Sequence, residues 1–146
     1  MFLAQKVVGQ LEDGKVCLDS DVLISYLRGK SAAVDDVRRL EEEAVTLSTT
    51  SINAFEVFYG AYKSGRRMNV ESAIRLMERL VILHFDREAA EAAGRILAQL
   101  EAKGELVEFR DVLIGATCLV NGYTIATWNA KHFRRIPGLK VIELQR

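Results

Sequence analysis

Three acids stand where an acid is expensive. Glu56 lies within Ile52-Asn53-Ala54-Phe55-Glu56-Val57-Phe58-Tyr59-Gly60, a stretch with no other charge. An ionised carboxylate among such neighbours is costly to bury unless it is paired or ligates a metal. The plainer alternative is a glutamate that reaches solvent beside a buried face. Asp111 opens the apolar run Asp111-Val112-Leu113-Ile114-Gly115-Ala116-Thr117-Cys118-Leu119, where a helix cap is the competing explanation. Asp19 follows Lys15-Val16-Cys17-Leu18 and precedes Ser20-Asp21-Val22. Capping would account for Asp19 too, and Asp21 competes for that role. Singly each acid is weak evidence. Together they are three carboxylates at strand ends or helix starts, which one fold can converge. Hard cations such as magnesium take oxygen ligands and only a few carboxylates. Such a centre serves phosphoryl chemistry, because the ion polarises phosphate oxygens and acidifies a bound water. Without a cation, three close carboxylates would raise one another's pKa.

Other chemistries find little support. There is no GxSxG elbow, no P-loop and no CxxC. Of the two histidines, His84 falls in a predicted strand and reads as structural. His132 follows the fourth predicted strand; it can approach the site, although a surface or capping role is the expectation. Basic residues cluster at Lys63, Arg66 and Arg67, and again at Lys131, Arg134 and Arg135. They are either solvated helix faces or a grip on phosphates. Trp128 and Phe133 are either stacking platforms for unpaired bases or core.

The elements that must position these residues alternate. Strands are predicted at Lys15 to Leu18, Val45 to Ser48, Val81 to Phe85, Tyr123 to Thr127 and Lys140 to Glu143. Helices are predicted at Val22 to Leu27, Val34 to Glu43, Ile52 to Ser64, Val70 to Leu80, from Asp86 to near Gly104, and Asp111 to Val120. Short apolar strands alternating with helices predict a three-layer α/β/α fold around a mainly parallel sheet of four to five strands. In such sheets a site lies beyond the carboxyl ends of the strands. That rule selects Asp19 and Asp21 after the first strand, and Thr127 and Asn129 after the fourth.

The chain has 146 residues, 49% of them apolar, and a formal net charge of zero. This predicts one packed domain from 15 to 146, preceded by an arm or short helix over 1–14. Neutrality excludes a strongly basic nucleic-acid sponge, but not a local basic patch on an enzyme. Cys17 and Cys118 show no metal-type spacing and sit in apolar surroundings, which predicts reduced thiols in a cytoplasmic protein. The first fifteen residues do not read as a signal peptide, and no run is apolar enough to span a bilayer.

Four segments resemble PIN-domain proteins, specifically the toxin half of VapBC-type toxin–antitoxin pairs. They are Val16 to Ile24, Ser51 to Ala61 with Glu56 and Gly60, Asp111 to Ala116, and Ile125 to Phe133, followed by the turn Pro137-Gly138-Leu139. The resemblance implies magnesium- or manganese-dependent cleavage of structured, loop-containing RNA by a metal-bound water. It also implies inhibition by a cognate antitoxin, and often a homodimer. It makes Asp19, Glu56 and Asp111 metal ligands. Where many PIN nucleases carry a fourth acid, this chain has Asn129, which leaves a second metal in doubt and suggests that Asn129 holds a catalytic water. Asp21 is then a helix cap or a support behind the ligands. A different enzyme class competes: Asp19-Ser20-Asp21-Val22-Leu23 also resembles the nucleophile motif of haloacid-dehalogenase-like phosphatases. That reading leaves Glu56 unexplained. A PIN fold used only for binding is the non-enzymatic alternative.

Overall fold

The computed structural model describes residues 14–43 and 46–145. The expected arm over 1–14 lies outside the described residues apart from Gly14. Five strands, β1 (Lys15–Leu18), β2 (Thr46–Thr50), β3 (Val81–Leu83), β4 (Thr124–Thr127) and β5 (Val141–Glu143), form one sheet in the order β3-β2-β1-β4-β5. Every pairing is parallel. The chain runs outward from β1 through β2 to β3, then crosses to β4 and β5 on the other side. The order therefore reverses between β1 and β4, and the crevice at their carboxyl ends is where such sheets place their sites.

Seven helices are present among the described residues: α1 (Ser20–Leu27), α2 (Ser31–Glu43), α3 (Ser51–Lys63), α4 (Arg67–Glu78), α5 (Arg87–Ala102), α6 (Phe109–Asn121) and α7 (Ala130–Phe133). Helices α1 to α4 supply Leu23, Leu40, Val57 and Leu76 to a core that takes Val16 and Leu18 from β1. Helices α5 to α7 supply Ile96, Ile114 and Phe133 to a second core that takes Cys17. Alternate β1 side chains thus face opposite layers, and all three are buried. A fully buried leucine contributes about 1.5–3 kcal/mol relative to an exposed one.

Strand β2 runs past its predicted end at Ser48 to Thr50. Its polar residues are tolerated there because their hydroxyls are satisfied. Ser48 Oγ donates to the Val16 carbonyl at 3.0 Å, and Thr49 Oγ1 donates to the Leu18 carbonyl at 2.8 Å. Strand β3 stops at Leu83, so His84 lies in the exposed loop after it and not in a strand. Asp86 caps α5 by accepting from the Ala89 amide, and Gly122 ends α6 in the left-handed conformation at φ 75°. Both follow from the sequence pattern.

Candidate functional site

Asp19 leaves β1 and caps α1, so the two explanations offered for it hold together. It is almost wholly buried. Its Oδ1 accepts from the Ser20 amide at 2.8 Å and from Asn53 Nδ2 at 3.0 Å; its Oδ2 accepts from Thr127 Oγ1 at 2.8 Å. Both oxygens are thereby fixed by donors from β1's own exit, α3 and β4.

Asn53 and Thr127 are fully buried; the strand-end rule had selected Thr127 for the site, whereas Asn53 was not singled out. Thr50 caps α3 and donates to Asn53 Oδ1 at 2.6 Å, which orients the amide. Asn53 Nδ2 then donates to Asp19 and also to Ser20 Oγ at 2.7 Å. Ser20 Oγ passes its proton toward Glu56 Oε1 at 2.6 Å. The detectable signal was an amide three residues after a helix-capping threonine, inside an otherwise apolar start.

Glu56 projects from the first half of α3 beside exposed neighbours. Phe55 and Tyr59 are 66% and 57% exposed, so the apolar run is not all core, and the Glu56 side chain is itself half-buried. Burial works against its charged form, but hydrogen bonds from Arg110 and Ser20 outweigh this and hold its pKa below the ordinary value. Asp111 is in the first turn of α6, whose cap position is Glu108, so the capping explanation fails. Burial raises the Asp111 pKa; Arg110 opposes that rise and the Asp19 charge adds to it.

The three acids meet at Arg110, a residue the sequence reading passed over. Arg110 Nε donates to Glu56 Oε2 at 2.6 Å, and one terminal nitrogen donates to Glu56 Oε1 at 2.7 Å. That same nitrogen reaches Asp19 Oδ1 at 3.3 Å, while the other reaches Asp111 Oδ1 at 2.5 Å. Burial disfavours the guanidinium's charge, but the Glu56 hydrogen bonds and the charges of Asp19, Glu56 and Asp111 raise its pKa further. Among the described residues no group of three acids, histidines or cysteines stands ready to hold a metal ion. Arg110 fills the space between them. The donor chemistry nevertheless fits a hard divalent cation: the converging atoms are carboxylate oxygens, and they carry more negative charge than one guanidinium cancels.

Asp21 sits beside this cluster. Its Oδ1 accepts from the Val22 amide at 2.7 Å, and its Oδ2 accepts from the Trp128 amide at 3.1 Å and from Asn129 Nδ2 at 3.2 Å. Asn129 is exposed and touches Asp21 rather than the three acids. Both line a cleft of about 290 Å³ together with Asp19, Glu108, Arg110, Asp111 and His132. His132, for which a surface or capping role was the expectation, lies with Nδ1 3.9 Å from Asp111 Oδ2. Neither basic cluster lines this cleft. Arg67 pairs with Glu71, Arg134 pairs with Glu143, and Arg135 donates to the Leu106 carbonyl. Phe133 is fully buried and Trp128 packs on the core, so the aromatic pair is structural.

The PIN domain family model matches residues 16–139. The chain is 30% identical over 128 residues to the tRNA(fMet)-specific endonuclease VapC of Salmonella typhimurium, covering 87% of this chain and 96% of that protein. It is 30% identical over 139 residues to ribonuclease VapC1 of Methanocaldococcus jannaschii, covering 90% of each. Among solved structures, DNA-bound VapBC from Salmonella typhimurium superposes with a TM-score of 0.79 at 28% identity, over 90% of this chain and 98% of that one.

Proposed function

The chain belongs to the PIN-domain family, and on that premise we propose that it is a VapC-type endoribonuclease in which Asp19, Glu56 and Asp111 ligate magnesium or manganese. One observation supports this reading above the others. Acids 37 and 55 residues apart in sequence (19 to 56, 56 to 111) converge on one positive group at the carboxyl edge of the sheet. A divalent cation bound there would screen the acids from a phosphodiester and lower the pKa of an attacking water.

The protein's own residues then have separate tasks. Asn53, Thr127 and the Ser20 amide fix Asp19, and Ser20 Oγ orients Glu56, so the acids need little rearrangement. Asp21 ties the loop after β4 to the start of α1. This places Asn129 at the cleft mouth, where its amide can orient a water or a phosphate oxygen. His132 beside Asp111 adds a group able to carry a proton toward the leaving oxygen.

The partners follow the same reading. RNA presenting unpaired bases is the substrate class, since unpaired bases offer their edges and faces to a protein whereas a duplex hides them. An antitoxin segment is the occupant of an apolar groove lined by Ile24, Leu27, Val57 and Ala61, with Arg28 and Asn69 beside them. A second copy of the chain covers the aromatic face of α3, where Phe55, Tyr59 and Tyr62 are exposed. No helix among the described residues is long and apolar enough to cross a membrane. Two free buried thiols support a cytoplasmic location.

The test is cleavage of structured RNA with manganese, followed by mapping of the fragment ends. A 5′-phosphate and a 3′-hydroxyl are expected, and Asp111→Asn abolishes them while keeping the fold. Cyclic phosphate ends would mean attack by the 2′-hydroxyl and would overturn the mechanism.

A further inference from the structure

Arg110 stands where a cation shared by Asp19, Glu56 and Asp111 would have to stand. It engages both oxygens of Glu56 and the Oδ1 atoms of Asp19 and Asp111. We propose that Arg110 is a built-in counter-cation: it gathers the three carboxylates in the metal-free protein and is displaced from between them when a divalent cation binds. The proposal rests on the reading of these acids as metal ligands.

Two features make the exchange feasible. First, Asp19 and Glu56 do not depend on Arg110 alone for their positions, and Asp111 is carried on the same helix turn as Arg110. Asp19 keeps three other donors, and Glu56 keeps Ser20 Oγ. Arg110, in contrast, makes its side-chain hydrogen bonds to these acids. The side chain is 31% exposed at the cleft, on a long flexible stem in the first turn of α6, so it has room to swing outward. Second, the two cations cannot share the centre. An ion on the same oxygens would lie within a few ångströms of the guanidinium, and two positive charges at that range repel strongly in a half-buried site.

The charge balance gives the direction. Three ionised carboxylates against one guanidinium leave two negative charges uncancelled. A monovalent cation gains little by replacing a guanidinium that already makes a bidentate pair. A divalent cation brings twice the charge to the same oxygens. Arg110 therefore raises the cation concentration at which the site fills and selects against monovalent ions. Once outside, its guanidinium is at the cleft mouth, where an RNA phosphate would meet it.

The experiment is calorimetric titration of the full chain with manganese, for wild type, Arg110→Gln, Arg110→Lys and Asp111→Asn. Arg110→Gln should bind manganese at least about tenfold more tightly than wild type, since it removes a unit charge from the centre. Arg110→Lys, which keeps the charge and loses the fork, should fall between. In parallel, the Arg110 Nε–H signal is followed by NMR in wild type during a magnesium titration. It should start protected from exchange and lose that protection with the same midpoint as the binding isotherm. The NMR arm stands even if Arg110→Gln folds poorly. Unchanged or weaker binding in a folded Arg110→Gln, or an Arg110 signal that stays protected while magnesium binds, overturns the proposal and leaves the metal site intact. Wild type that binds no manganese, or an Asp111→Asn variant that binds it equally well, overturns the ligand reading and the proposal with it.

Discussion

Asp21 shows how the same carboxylate chemistry divides between neighbouring residues. Asp19 is fixed among buried donors, whereas Asp21 is half-buried against a loop. Burial, and then the charge of Asp19, push its pKa up to about 6, against the pull of the Trp128 and Val22 amides and Thr127. A folded-state pKa raised above the ordinary 3.8 means that folding favours the protonated form. Its stabilising contribution is complete below about pH 3.8 and is lost as pH rises through about 6. In chelator, the stability of wild type relative to Asp21→Asn should therefore fall between pH 4 and 7, and the Asp21 carboxyl carbon should titrate near pH 6 by NMR. A flat difference, or a midpoint near 4, would show that the loop after β4 does not bury this group. At this scale the sequence was only partly legible. Asp19, Glu56 and Asp111 stood out because charge in apolar runs is conspicuous. Arg110 did not, because neighbours in a helix rarely face the same way and an arginine beside an aspartate is unremarkable. Its reach across to Glu56 exists only once α3 and α6 are packed. His132, expected at the surface yet able to approach the site, is half-exposed with Nδ1 3.9 Å from Asp111, a distance that depends on how α7 follows β4.

Among the elements, α6 carries the heaviest constraint, since it holds both Arg110 and Asp111 and packs its interior against the turn before β5. Gly115 is the point of contact. A Cβ there would lie 2.4 Å from Ile136 Cδ1 and 3.2 Å from Leu139 Cδ2. Ile136 is itself buried, so its methyl end has little space to yield. Gly115→Ala gains helix propensity but should lose more to overpacking, for a net destabilisation of about 1–2 kcal/mol. That corresponds to a fall of roughly 2–8 °C in Tm for a chain this size, measurable by thermal denaturation. A Tm that rises would mean the turn repacks freely. Most elements were readable from periodicity and caps, as at Asp86 and Gly122. The misplaced boundaries have physical causes. Strand β2 outran its prediction because Ser48 and Thr49 hydroxyls bond to β1 carbonyls, a satisfaction that hydropathy does not register. Helix α6 started two residues early because Glu108 is its cap position and Asp111 is the third residue of its first turn.

For the molecule as a whole, the alternation of short strands and helices sufficed to foresee a parallel three-layer sheet, and the switch of strand order between β1 and β4 explains where the cleft opens. What the alternation does not encode is that the acids converge only when the whole sheet is assembled. Asp19 exits β1, Glu56 rides on the helix after β2, and Asp111 comes from the helix that leads into β4. The unfolded chain holds these residues far apart, so a cation that needs all three binds the native state alone. By linkage, such binding raises stability by about 2.7 kcal/mol at a cation concentration one hundred times Kd. For a domain of this size that is a rise of roughly 5–11 °C in Tm. Manganese should therefore raise the Tm of wild type by this order, and calcium or magnesium should do so at their own affinities. Asp19→Asn should remove the shift while remaining folded in chelator, because an asparagine carbonyl can still accept from the Ser20 amide at the head of α1. The metal-free protein should itself melt cooperatively, since Arg110 already offsets part of the repulsion among the acids. A manganese shift of the same size in Asp19→Asn would place the cation elsewhere on the chain.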